Sequence, residues 1–118
     1  MMDDGVARKP KPYEDYADVL RQKLDGMPGV SEKVMMGGLC FMLDGNMVAG
    51  AHRRGYMFRM GPEREAIGLN IPGAKMMEMG DKGRTMRGFL EAAPEAPETS
   101  LDALLGLSLE FVMTLPPK

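Results

Sequence analysis

The sequence predicts an α+β domain: one antiparallel sheet with helices packed on it, in the order helix, three strands, short helix, two strands, helix (α-β3-α-β2-α). Two observations carry this. Apolar residues recur at helical spacing near both ends of the chain, and between them short apolar runs alternate with glycine-containing turns. The chain has 118 residues, enough for one compact domain and too few for two ordinary ones.

Residues 1–11, MMDDGVARKPK, are polar and aperiodic and read as a mobile tail, leaving 12–118 as a single domain. Pro12 suits a first helical turn, with Glu14 and Asp15 where the helix dipole favours acids. Tyr13, Tyr16, Ala17, Leu20 and Leu24 then share one face, and the helix is expected to stop near Gly26.

Lys33 to Leu43 is so continuously apolar that a strand buried on both faces is expected. Asp44-Gly45-Asn46 makes a hairpin turn, because these residues accept the positive φ it needs, and Met47 to His52 is the return strand. After the Arg53-Arg54-Gly55 turn, Tyr56 to Met60 forms a third strand. Gly61-Pro62-Glu63 opens a short helix ending by Gly68. Lys75 to Met79 and Thr85 to Ala92 read as the last two strands, and Pro94 to Glu98 as a connector. Thr99 with Asp102 resembles a capping box, and Leu101, Leu104, Leu105, Leu109 and Val112 continue as a helix that Pro116-Pro117 stops.

Lysine and arginine number 15 and aspartate and glutamate 17, a net charge of −2. Such a chain lacks the overall positive field of a basic DNA-binding domain. One cysteine permits no internal disulfide, no secretory leader is visible and no apolar run matches a bilayer, so a cytoplasmic protein without membrane contact is expected.

Chemistry is sparse. Cys40 and His52 are the one possible thiol and imidazole pair, on strands joined by a hairpin, but Cys40 between Leu39 and Phe41 is expected to be buried and inert. One Cys and one His make no zinc set. The 14 methionines, including Met76-Met77-Glu78-Met79, suit core packing better than soft-metal ligation. No cofactor, metal or catalytic group is therefore expected.

Gly37 and Gly38 suit either close approach of a ligand or chain to the backbone, or a bulge or tight helix packing, the latter being the expected role. Arg53, Arg54 and Arg59, with Lys82, Arg84 and Arg87, form two local basic clusters: a possible interaction patch for an acidic partner or a phosphate backbone, with ordinary solvation the expected state.

Met36-Gly37-Gly38-Leu39-Cys40-Phe41-Met42, Asp44-Gly45-Asn46-Met47, Arg59-Met60-Gly61-Pro62 and Gly83-Arg84-Thr85-Met86-Arg87-Gly88-Phe89 together resemble the TfoX/Sxy amino-terminal domain family over about residues 13 to 118. The Leu115-Pro116-Pro117-Lys118 ending is similar to that of its short, single-domain members. Met36 stands where the family often has Phe, and Gly80-Asp81-Lys82 looks like a small insertion. The resemblance implies a secretion-chaperone-like α+β fold and no established catalytic constellation. Its full-length members, which carry a further carboxy-terminal domain, are associated with regulation of natural competence for DNA uptake.

The function expected is thus a non-enzymatic regulatory or protein-interaction domain, working as a homodimer or with an unidentified protein partner. Two alternatives stand beside it: nucleic-acid binding through Arg53, Arg54, Arg59, Arg84 and Arg87, and a small-ligand binder or enzyme using Cys40 and His52.

Overall fold

The computed structural model describes residues 13–79 and 83–118. The tail expected over residues 1–11, the helix start at Pro12, and Gly80, Asp81 and Lys82 lie outside the described residues.

Helix α1 (Glu14–Lys23) has acids in its first turn and Arg21 and Lys23 in its last, matching the dipole, and buries Ala17 and Leu20. Four strands follow: β1 (Val30–Met35), β2 (Gly38–Leu43), β3 (Asn46–His52) and β4 (Gly55–Arg59). A 3₁₀ turn (Pro62–Arg64) leads into the short helix α2 (Glu65–Leu69). Strands β5 (Ala74–Met79) and β6 (Arg84–Ala92) come next, and helix α3 (Glu98–Val112) ends the regular structure. Among the described residues no helix is long and apolar enough to cross a membrane.

The strands form one six-stranded sheet in the order β1-β2-β3-β4-β6-β5, antiparallel throughout. The fold class is as expected, but the central meander has four strands where three were predicted. The segment from Lys33 to Leu43 is not one strand. It breaks at Met36 and Gly37, whose φ values of 55° and 73° are the paired positive angles of a two-residue hairpin turn. Its first half is not buried either: β1 is an edge strand, exposed from Ser31 to Val34, while β2 is largely covered. The predicted Asp44-Gly45 turn is present, at φ 51° and 86°.

Register fixes which side chains share a face. Phe41, Ala49, Phe58 and Leu90 lie side by side across β2, β3, β4 and β6, flanked by the rank Leu39, Ala51, Tyr56 and Ala92. This face packs on Leu20 and Leu24 of the first helical segment and on Leu101, Leu104, Leu105 and Val112 of α3. Here lies the main core. Helix α2 joins the same side, since a Cβ on its Gly68 would meet Leu90 and Met60.

The predicted capping box does not form. Helix α3 starts at Glu98 after Pro97, with no side-chain cap, so Thr99 already sits in the first turn. Proline's fixed φ of −59° sets the helix entry instead. Asp102 joins Glu98 in holding Lys23 of α1, at 2.7 and 3.0 Å. Beyond α3 the chain returns to the β2–β3 turn, where Lys118 N–H donates to the Asp44 carbonyl (2.8 Å) and the Asn46 amide donates to the Pro116 carbonyl (2.9 Å).

Candidate functional site

The opposite face of the sheet is built by the alternate residues. One rank runs Lys33, Cys40, Gly50, Met57, Glu91, Lys75 across all six strands. The helices pack on the other side, yet Cys40, Met47, Met57 and Met77 are buried together here, backed by Met35, Met36, Met42, Met86 and Phe89. The cluster runs from β1, through Met35, to β5, through Met77, at opposite edges of the sheet. Gly50 serves it directly: a Cβ there would stand 2.7 Å from the Met57 methyl, so glycine lets the thioether lie flat on β3.

Where this face meets the β1–β2 and β3–β4 turns, it opens into a hollow of about 470 Å³. Met36 comes from the first turn, His52, Arg53 and Arg54 from the second, and Met77 and Met79 from β5. Beside it Glu91 is only 4% exposed, a carboxylate that burial would make costly without partners. It accepts from Arg54 Nη2 at 3.2 Å and lies 3.6 Å from Lys75 Nζ and 3.7 Å from His52 Nε2. Arg54 Nη2 also donates to the Glu78 carbonyl at 3.3 Å, tying the β3–β4 turn to β5.

His52 is 5% exposed. Its Nδ1 accepts the Arg54 backbone N–H at 3.1 Å. In the neutral ring the proton therefore sits on Nε2, and that atom is buried without a hydrogen-bond partner among the described residues. Burial, and then the Arg54 charge, hold the imidazole pKa below its ordinary value; Glu91 opposes this only in part.

Cys40 sits one diagonal step from His52, since Gly38 pairs with His52 and Cys40 with Gly50. It is wholly buried, and loss of solvation pushes its thiol up to about 11. Among the described residues its one polar contact is a long one, Sγ to the Met35 carbonyl at 3.8 Å. A neutral thiol beside a neutral imidazole is not an activated nucleophile. His52 lines the hollow and Cys40 does not.

The two glycines have separate roles. Gly37 supplies a turn angle, and Gly38 lets β2 approach β3, because a Cβ on it would fall 1.9 Å from the Ala51 carbonyl oxygen. The basic residues do not share one contact. Arg53 and Arg54 sit at the β3–β4 turn, and Arg54 is held by Glu91. Arg59 occupies the far end of β4 with its guanidinium 5.3 Å from the Phe111 ring. Arg87 faces Glu65 at 3.5 Å and Arg84 opens β6; Lys82 lies outside the described residues.

Sequence reasoning missed Glu91, Lys75 and the methionine walls of the hollow. One signal was present: Glu91 is a lone acid within Phe89-Leu90-Glu91-Ala92-Ala93, in strand phase with Met57 rather than with the core. Among the described residues no three His, Cys, Asp or Glu side chains are grouped to hold a metal ion.

The family profile described as TfoX N-terminal domain matches residues 22–111 of the chain. No curated protein and no solved structure matches it. The profile spans the whole of the described sheet, α2 and α3 as far as Phe111, but only the last two residues of α1. The chain belongs to the TfoX N-terminal domain family.

Proposed function

We propose that this chain is a non-catalytic regulatory domain that acts by protein contact, pairing with a second copy of itself along β1. The observation that carries this reading is the open edge of the sheet. Among the described residues strand β1 has a neighbour on one side only, and its Val34 is 68% exposed, a combination that invites strand addition. Family membership supports a regulatory or interaction role in general. The buried, neutral Cys40 and His52 argue against acyl-transfer or thiol chemistry.

Symmetry and like-charge contacts narrow the register. A two-fold axis normal to the sheet keeps each face continuous, so β1 can pair only with residues of the same parity. Centring the pair on Glu32 or Lys33 sets like charges opposite each other. Centring it on Val34 sets that valine against its own copy and Lys33 against Met35, which removes the exposed apolar side chain from water.

Light scattering at micromolar concentrations tests the reading. The native chain is expected to dimerise with concentration and Val34→Lys to remain monomeric at the same thermal stability. A native chain that stays monomeric, with no protein recovered on it in pull-downs, overturns the proposal. The process to examine first is competence for DNA uptake, where the family resemblance points.

A further inference from the structure

The hollow combines features that a solvated crevice does not need. Its volume of about 470 Å³ lies within the usual range of small-molecule sites. Its walls are Met36, Met77 and Met79, unbranched and polarizable side chains that re-pack around a flexible apolar guest. Against them stands a polar end: the His52 Nε2–H, buried and unpartnered among the described residues, and the exposed Arg53, for which no ion pair occurs among those residues.

Thioethers beside an imidazole also suit a soft metal ion, but the tautomer opposes it. Nδ1 is occupied by the Arg54 N–H, so Nε2 carries the proton and has no lone pair to give. Arg53 and Arg54 flank the same hollow and repel a cation. A donor N–H with a guanidinium beside it calls for an oxygen acceptor bearing negative charge. Glu91 does not fill that role, because its Oε2 stays 3.7 Å from Nε2 and its charge is met by Arg54 and Lys75. Glu78 also lines the hollow; against it and Glu91 stand Arg53, Arg54 and Lys75, which leaves the surroundings positive.

We infer that the hollow between the β1–β2 turn, the β3–β4 turn and β5 binds an unbranched apolar chain ending in a carboxylate, a medium-chain fatty acid. The chain lies among Met36, Met77 and Met79, and the carboxylate accepts from the Arg53 guanidinium, next to the His52 ring. The site rests on the hollow alone, not on subunit pairing, so failure of either proposal leaves the other standing.

The test is a titration of the full chain, labelled with ¹³C at its methionine methyls, with decanoate and separately with decan-1-ol. Decanoate is expected to shift the Met36, Met77 and Met79 methyl signals saturably below about 1 mM, with decanol about tenfold weaker, as one charged contact implies. Arg53→Ala, a change at an exposed turn, is expected to weaken decanoate about tenfold and leave decanol unchanged. The proposal is overturned if those three signals do not saturate, if decanol binds as tightly as decanoate, or if Arg53→Ala lowers both equally.

Discussion

Gly37 and Gly38 are neighbours whose substitutions fail for different physical reasons. At Gly37 the backbone sits at φ 73° and a Cβ would meet nothing within 4 Å, so Gly37→Ala carries only left-handed strain, about 1–2 kcal/mol. At Gly38 the added carbon strikes the Ala51 carbonyl, backbone against backbone, and β2 must part from β3. Gly38→Ala is therefore expected to cost about 3 kcal/mol or more, and urea unfolding of the two variants measures the difference. His52 gives a second residue-scale prediction. Its folded pKa lies below the ordinary value of ~6.5, so between the two the unfolded chain binds the extra proton. Stability is then full above about pH 6.5 and declines as pH falls through the lowered value. The measurement is unfolding free energy against pH in the native chain and in His52→Gln, which is expected to lose this part of the slope.

At the scale of elements, the sequence is most readable where one residue type has one use. The Asp44-Gly45 hairpin is legible because both residues tolerate positive φ. The Met36-Gly37 hairpin is hidden because methionine at φ 55° is unusual and the apolar run continues through it. Its concealment made two strands look like one and hid the exposed edge. Helix α3 is legible from its leucines, and its start is not, because Pro97 replaces a side-chain cap with a fixed angle. The hollow escapes prediction for another reason: its walls come from two turns and a strand far apart in sequence, which no local pattern encodes. Within α3, Ser108 is wholly buried and its hydroxyl lacks a hydrogen-bond partner among the described residues. Removing an unsatisfied buried hydroxyl relieves desolvation and adds helix propensity, so Ser108→Ala is expected to raise stability by about 1 kcal/mol. A rise in thermal midpoint with no change in the helical circular-dichroism spectrum is the outcome sought.

For the molecule as a whole, charge placement bears on the nucleic-acid reading. The chain carries a net charge of −2, so attraction to a phosphate backbone depends on arginines acting together. Within the described residues they are spread out: Arg54 is committed to Glu91, Arg59 lies over Phe111 at the other end of β4, and Arg87 faces Glu65. Arg53 and Arg84 remain, one at the β3–β4 turn and one at the start of β6. Two phosphate contacts give a salt slope of only about −2, against about −5 or steeper for a duplex binder making six or more. A fluorescently labelled duplex is therefore expected to show no binding at about 0.1 M salt and only weak, shallow salt dependence below it. A slope near −5 would mean that assembly in solution gathers the arginines of several copies onto one surface. In that event pairing along β1 would serve DNA binding, and Val34→Lys should abolish both together; if it abolishes only the dimer, the basic residues act without it.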